Sequence, residues 1–179
     1  MKTKMQTTAI LLLFSIVLTA QNQVYVNDQK VSLKTLQTLQ NAYGIKIQNG
    51  DYWYDARCGA WGLDKGPTLG FIPAGLRVGG RLKANASNGR SNVFVNGREL
   101  PTADVRALQR IIKVVPGRFW LDAKGNGGYE GYPSTFNLVY LARQKGGSSF
   151  YRNSYTGIGA GSSGGTSYVI GDGFSVITD

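Results

Sequence analysis

The chain has 179 residues, a formal charge of +10, one cysteine and no histidine. The missing histidine excludes a Ser-His-Asp triad and any Cys-His mechanism through Cys58, and it leaves a zinc site almost without ligands. A single cysteine also excludes a disulfide within the chain, so stability has to come from an ordinary packed core.

In chain order, residues 1–20 read first as a signal peptide, with Lys2 and Lys4 before the apolar run Ile10 to Leu18 and a small residue at Ala20. A membrane-spanning helix needs roughly 20 apolar residues, so export with cleavage near Ala20 is the expectation, and a secreted or periplasmic location follows from it. Loss of Lys2 and Lys4 would lower the charge of +10 by two.

Two segments then echo each other. VYVNDQKVSLKTLQTLQ (24–40) aligns with VFVNGRELPTADVRALQ (93–109), pairing Val24, Val26, Asn27, Leu39 and Gln40 with Val93, Val95, Asn96, Leu108 and Gln109. Further on, Gly50, Trp53, Asp55 and Ala56 match Gly117, Trp120, Asp122 and Ala123. Shared order, spacing and tryptophans point to an internal duplication. Each copy reads as a short alternating strand, an Asn-Asp or Asn-Gly turn, a helix and then an aromatic hairpin. Ser32 is placed to cap the first helix, whose stripe is Leu33, Leu36, Leu39 and Tyr43. Pro101 suits the first turn of the second, with Val105, Leu108 and Ile112 as its stripe. The expected fold class is therefore α+β, with two related strand-turn-helix-hairpin units and a C-terminal hairpin. The units span 21–66 and 93–145, joined by a glycine-rich basic connector at 67–92. From 65 to 98 the chain carries Lys65, Arg77, Arg81, Lys83, Arg90 and Arg98 and no acid. PSTFNLVYLARQ (133–144) predicts a short helix capped by Ser134. The Gly/Ser-rich tail, 146–179, ends in a hairpin around Gly171-Asp172-Gly173.

Tempting motifs fail on context. GAGSSGG (159–165) fits both a dinucleotide fingerprint and a nucleophile elbow, but it precedes a hairpin pattern and no histidine serves as base. DAKGNGGYEGYP (122–133) begins like a calcium loop, yet puts Lys124 and Pro133 where carboxylates belong. No dinucleotide, metal or other cofactor is implied. The remaining catalytic candidates are Asp55, Asp122 and Glu130, since paired carboxylates between aromatic walls suit glycoside hydrolysis. Aspartate after a strand more often bonds the following turn, and its recurrence in both copies favours that reading. In Tyr52-Trp53-Tyr54 the rings alternate faces, and the tryptophans are the preferred core fillers. Trp61 and Tyr129 on the returning strands are candidate stacking surfaces, with Arg77, Arg81, Lys83 and Arg90 as anion contacts. These features lead to the expectation of a secreted, non-enzymatic module that binds anionic or glycan polymers. The alternatives are a carboxylate hydrolase acting on glycan or peptidoglycan, and a surface-assembly or adhesin subunit.

Overall fold

The computed structural model describes residues 23–44 and 46–144, together with the backbone of three strands between 159 and 178. The reading of residues 1–20 as a signal peptide lies outside the described residues, as does the Gly171-Asp172-Gly173 turn except for Gly171. The class is α+β. The first sheet contains β1 (Val24–Val26), β2 (Gln29–Lys30), β3 (Gly50–Tyr54), β4 (Ala60–Leu63) and β5 (Gly70–Phe71), with helix α1 (Leu33–Tyr43) crossing from β2 to β3. The second contains β6 (Val93–Val95), β7 (Arg98–Glu99), β8 (Gly117–Leu121), β9 (Asn126–Tyr129) and β10 (Phe136–Asn137). Its helices are α2 (Thr102–Gln109) and α3 (Leu138–Gln144). Strand order is β2-β1-β3-β4-β5 in one sheet and, read from the same edge, β7-β6-β8-β9-β10 in the other. In each, the first strand runs parallel to the third and the other pairs are antiparallel. Three further strands, β11 (Gly159–Ser163), β12 (Thr166–Gly171) and β13 (Phe174–Thr178), form an antiparallel sheet of their own.

The hairpin turns explain why asparagine stands at 27 and 96. Asn27 and Asp28 have φ of 49° and 62°, and Asn96 and Gly97 have 51° and 87°, the positive pair that a type I′ turn requires. Asparagine tolerates this region and carries both a donor and an acceptor. Asn27 uses them on Tyr54, accepting from its N–H at 3.0 Å and donating to its carbonyl at 2.9 Å. Asn96 does the same to Leu121 at 3.0 and 2.9 Å. Each side chain thus pins the end of the aromatic strand that parallels it.

Side-chain caps open α1 and α3, while α2 starts after Pro101, which offers no capping side chain. Ser32 Oγ accepts from the Thr35 N–H at 3.1 Å, and Gly44 closes α1 in the left-handed region at φ 61°. The cap expected from Ser134 is instead made by Asn137, whose side chain accepts from the Tyr140 N–H at 2.8 Å. Ser134 lies too early, because residues 136–137 continue the sheet as β10; its hydroxyl donates to the Gly127 and Phe136 carbonyls.

The first sheet is covered on both faces. Val24, Val26, Val31, Leu36 and Tyr54 form one buried cluster with α1, and Tyr52 and Trp61 pack against it. On the opposite face Trp53 is 0% exposed among Cys58, Ala60 and Ala86, with Leu121 of the second sheet packed alongside. Trp53 faces Gly62 in the register, where any Cβ would stand 2.8 Å from the indole. The stretch read as connector supplies β5 and then wraps the outer strand of the second sheet. There the Glu99 N–H donates to the Ala84 carbonyl at 2.9 Å, and the Ser87 and Ser91 hydroxyls bond the Glu99 and Leu100 carbonyls at 2.7 Å.

Candidate functional site

The junction between the sheets carries the buried polar side chains Asp55, Ser87, Arg98 and Asp104. Arg98, on β7, is only 4% exposed. Its Nη1 meets Asp104 Oδ2 at 3.0 Å and Ser87 Oγ at 2.8 Å, and its Nη2 meets Thr68 Oγ1 at 3.1 Å. Its guanidinium lies 3.9 Å from the centre of the Trp53 ring. Asp104, in the first turn of α2 and also buried, accepts from the Thr68 N–H at 3.0 Å and hydroxyl at 2.7 Å. Burying two charges is costly unless their remaining valences are filled, and here the first sheet's loop fills them from outside the pair, except at Arg98 Nε. Asp55 adds a second tie: its Oδ2 accepts from Asn96 Nδ2 at 2.7 Å and from Cys58 Sγ at 3.1 Å. Burial, aided by the Asp55 charge, pushes the Cys58 thiol well above its ordinary range, so it is no nucleophile at neutral pH.

The second sheet repeats part of this. Trp120 faces Gly128, as Trp53 faces Gly62. The two indole N–H groups donate to the Tyr132 and Gly66 carbonyls at 2.8 and 3.1 Å. Trp120, however, is only half-buried, and what stands over its ring is Arg57, exposed, at 4.9 Å. Arg118, which lies on the Trp120 side of β8 by alternation, stacks on Phe94 at 5.0 Å and pairs with Glu130 at 2.6 Å.

The three candidate carboxylates are all engaged. Asp55 Oδ1 accepts from the Arg57 N–H at 2.9 Å, besides the two contacts at Oδ2. Asp122 accepts from the Lys124 and Asn126 N–H groups at 2.9 and 2.8 Å and from Asn126 Nδ2 at 3.0 Å. Glu130 holds Arg118 at the surface. Of the proposed stacking rings, Trp61 is half-buried and packs on the helix side of the first sheet, 6.2 Å from the Tyr52 ring. Tyr129 is 47% exposed and lies against Phe119 at 4.8 Å. Arg77, Arg81, Lys83 and Arg90 are all exposed. Lys83 pairs with Asp28 at 2.6 Å, which raises the ammonium pKa and lowers that of the carboxyl through the same hydrogen bond. A shallow cleft beside them is lined by Asp28, Asp64, Lys65 and Lys83, whose charges pair off. Arg98, Asp104, Asn96 and Arg57 carry the junction, and none had been singled out for a site. Asp104 sits beside the stripe residue Val105 and reads as a solvated helix position. Only the acid-free basic run around Arg98 hinted that one of its cations needed a partner from elsewhere.

Comparison with known proteins gives the wider setting. No protein-family model and no solved structure match the chain. It is similar to the extra-large guanine nucleotide-binding protein 1 of Arabidopsis thaliana, 38% identical over 122 residues covering 65% of this chain. It is also similar to the extra-large guanine nucleotide-binding protein 2 of that plant, 33% identical over 125 residues covering 68% of this chain. The chain spans 14% of the length of each of these curated relatives. These relatives overturn the expectation of a secreted module binding anionic or glycan polymers. The hydrolase and adhesin alternatives go with it, because the relatives are named for guanine nucleotide binding. The geometry agrees with the correction: Trp61 packs against a core and is no free platform, and Lys83 is neutralised by Asp28.

Proposed function

We propose that this chain is a non-catalytic protein-interaction module that works beside a guanine nucleotide-binding region. Its relatives carry that activity in their names, while the matched segment is a small part of their length. The observation that supports the reading best is the Trp120 face of the second sheet. It presents a half-buried tryptophan with an arginine over it, and its indole donates to the carbonyl of Tyr132, a residue 70% exposed. Tryptophan, tyrosine and arginine are the residues that dominate binding energy at protein interfaces. The matching face of the first sheet is already filled by Ala86, Leu82, Leu121 and Arg98, so the fold itself supplies an example of a protein segment docked there.

The test is a binding measurement in trans. The purified chain is titrated calorimetrically into the Arabidopsis extra-large guanine nucleotide-binding protein 1 lacking its matched segment. Saturable binding that weakens by about tenfold or more in Tyr132→Ser is expected, as truncation of an interface anchor does. Absence of binding, or binding indifferent to Tyr132→Ser, would contradict the reading. So would saturable binding of a fluorescent GTP analogue to the isolated chain.

A further inference from the structure

We infer that Arg57, stacked on Trp120, receives a carboxylate from a protein partner, so that the Trp120 face docks an acidic protein segment. This rests on the reading of the chain as an interaction module and adds the chemistry of what it holds.

The inference comes from three arginine–aromatic stacks built to one plan. Arg98 lies over Trp53 and is held by Asp104 at 3.0 Å. Arg118 lies over Phe94 and is held by Glu130 at 2.6 Å. Arg57 lies over Trp120, and among the described residues no carboxylate holds it. A guanidinium flat on a ring keeps its edge N–H groups free in the ring plane, where a carboxylate can take two of them together. Asp104 takes one such N–H, Arg98 Nη1, and Glu130 takes Arg118 Nε. In the third stack that edge faces solvent.

The surroundings make the occupant a protein side chain. Thr68 and Ser134 hold corresponding places, since the residues after them donate to the Trp61 and Gly127 carbonyls of the preceding strands. Thr68 hands its hydroxyl to Asp104, whereas Ser134 spends its own on carbonyls of its own hairpin. The second sheet is thus left with Arg57 on its aromatic floor and no carboxylate on that cation among the described residues, Glu130 being taken by Arg118. Tyr132, whose carbonyl fixes the Trp120 indole, is itself 70% exposed. A formal charge of +10 favours approach of an acidic surface.

The probe is an acetylated, amidated hexapeptide Glu-Leu-Glu-Leu-Glu-Leu, with its glutamine-for-glutamate counterpart, titrated into the 15N-labelled full chain. The Arg57 Nε–H and Trp120 Nε1–H signals should shift saturably with the acidic peptide while the Trp53 Nε1–H stays fixed. Affinity should fall about tenfold or more with the glutamine peptide and in Arg57→Gln, as loss of a charge-assisted pair implies. Arg57 is exposed, and an unmoved Trp53 signal in the variant verifies its fold. Equal binding by both peptides, or unchanged binding in Arg57→Gln, would overturn the inference. Equal binding of a six-residue oligothymidylate would too, because it would mark a general anion surface. If the plant protein binds in trans and Arg57→Gln changes nothing, this inference fails and the functional reading stands. If the acidic peptide binds as described but the plant protein does not, the reverse holds.

Discussion

Trp53 and Trp120 occupy matching places in two sheets of the same strand order, yet one is sealed and the other half open. Both cross to a glycine on the next strand, both donate from the indole to a loop carbonyl, and both lie under an arginine. What differs is the neighbour. Trp53 is met by Ala86, Leu82, Leu121 and Arg98, and Arg98 brings its own carboxylate in Asp104. Trp120 is met by the exposed Arg57. Asp55 and Asp122 show the same contrast, for both bond the turn that follows, but Asp55 gives its second oxygen to Asn96 of the other sheet and Asp122 gives its own to Asn126 nearby. The same local chemistry therefore builds a junction in one place and a surface in the other.

The largest expected effect lies at the sealed side. Asp104→Ala strands a buried guanidinium and should cost about 3–5 kcal/mol, read from chemical denaturation. The reciprocal double variant Arg98→Met with Asp104→Leu removes both charges and should recover much of that loss. Trp53→Ala should also cost about 3–5 kcal/mol, as fully buried aromatics do. Trp120→Ala should cost less, about 1–2 kcal/mol, because part of its surface is already wet. Equal costs for the two tryptophans would erase the distinction.

Smaller substitutions sharpen it. In Asp55→Asn the new amide faces the Asn96 amide donor and Cys58, so a loss of about 1–3 kcal/mol is expected from the unpaired buried group. Asp122→Asn, in a half-exposed turn, should stay below about 1 kcal/mol. Alkaline pH probes the helix side of the first sheet. Burial raises the Tyr54 phenol from 10.0 to about 12, so its contribution is whole below pH 10 and drains away as pH rises towards 12. Tyr54→Phe should remove that part of the alkaline loss in a pH series of denaturant midpoints.

Much of the local architecture was legible in the residues. Asn27 and Asn96 announce hairpins because few other side chains accept two successive positive φ values, and Ser32 announces α1. The α+β class follows from those same elements. The alternation of Tyr52, Trp53 and Tyr54 separates two faces but carries no information about what covers each. Here both are covered, by α1 on one side and by the second sheet on the other. The Arg98–Asp104 pair was illegible for a related reason: its partners Thr68 and Ser87 come from a glycine-rich stretch with no pattern of its own. Ser134 was read as a helix cap because a two-residue strand leaves no periodic signal. The expected polymer ligand rested on net charge, the basic run 65–98 and the aromatic hairpins, and net charge describes solubility and encounter and cannot by itself name a partner.

Hydrogen exchange of the indole N–H groups tests the inequality of the two faces most directly. Trp53 and Trp120 donate to carbonyls at similar distances, 3.1 and 2.8 Å, so bond length alone would protect them alike. Because the sheets differ in cover, the Trp53 N–H should exchange only on global unfolding and the Trp120 N–H through local opening, at least about tenfold faster. Equal protection of the two, or slower exchange at Trp120, would contradict the account.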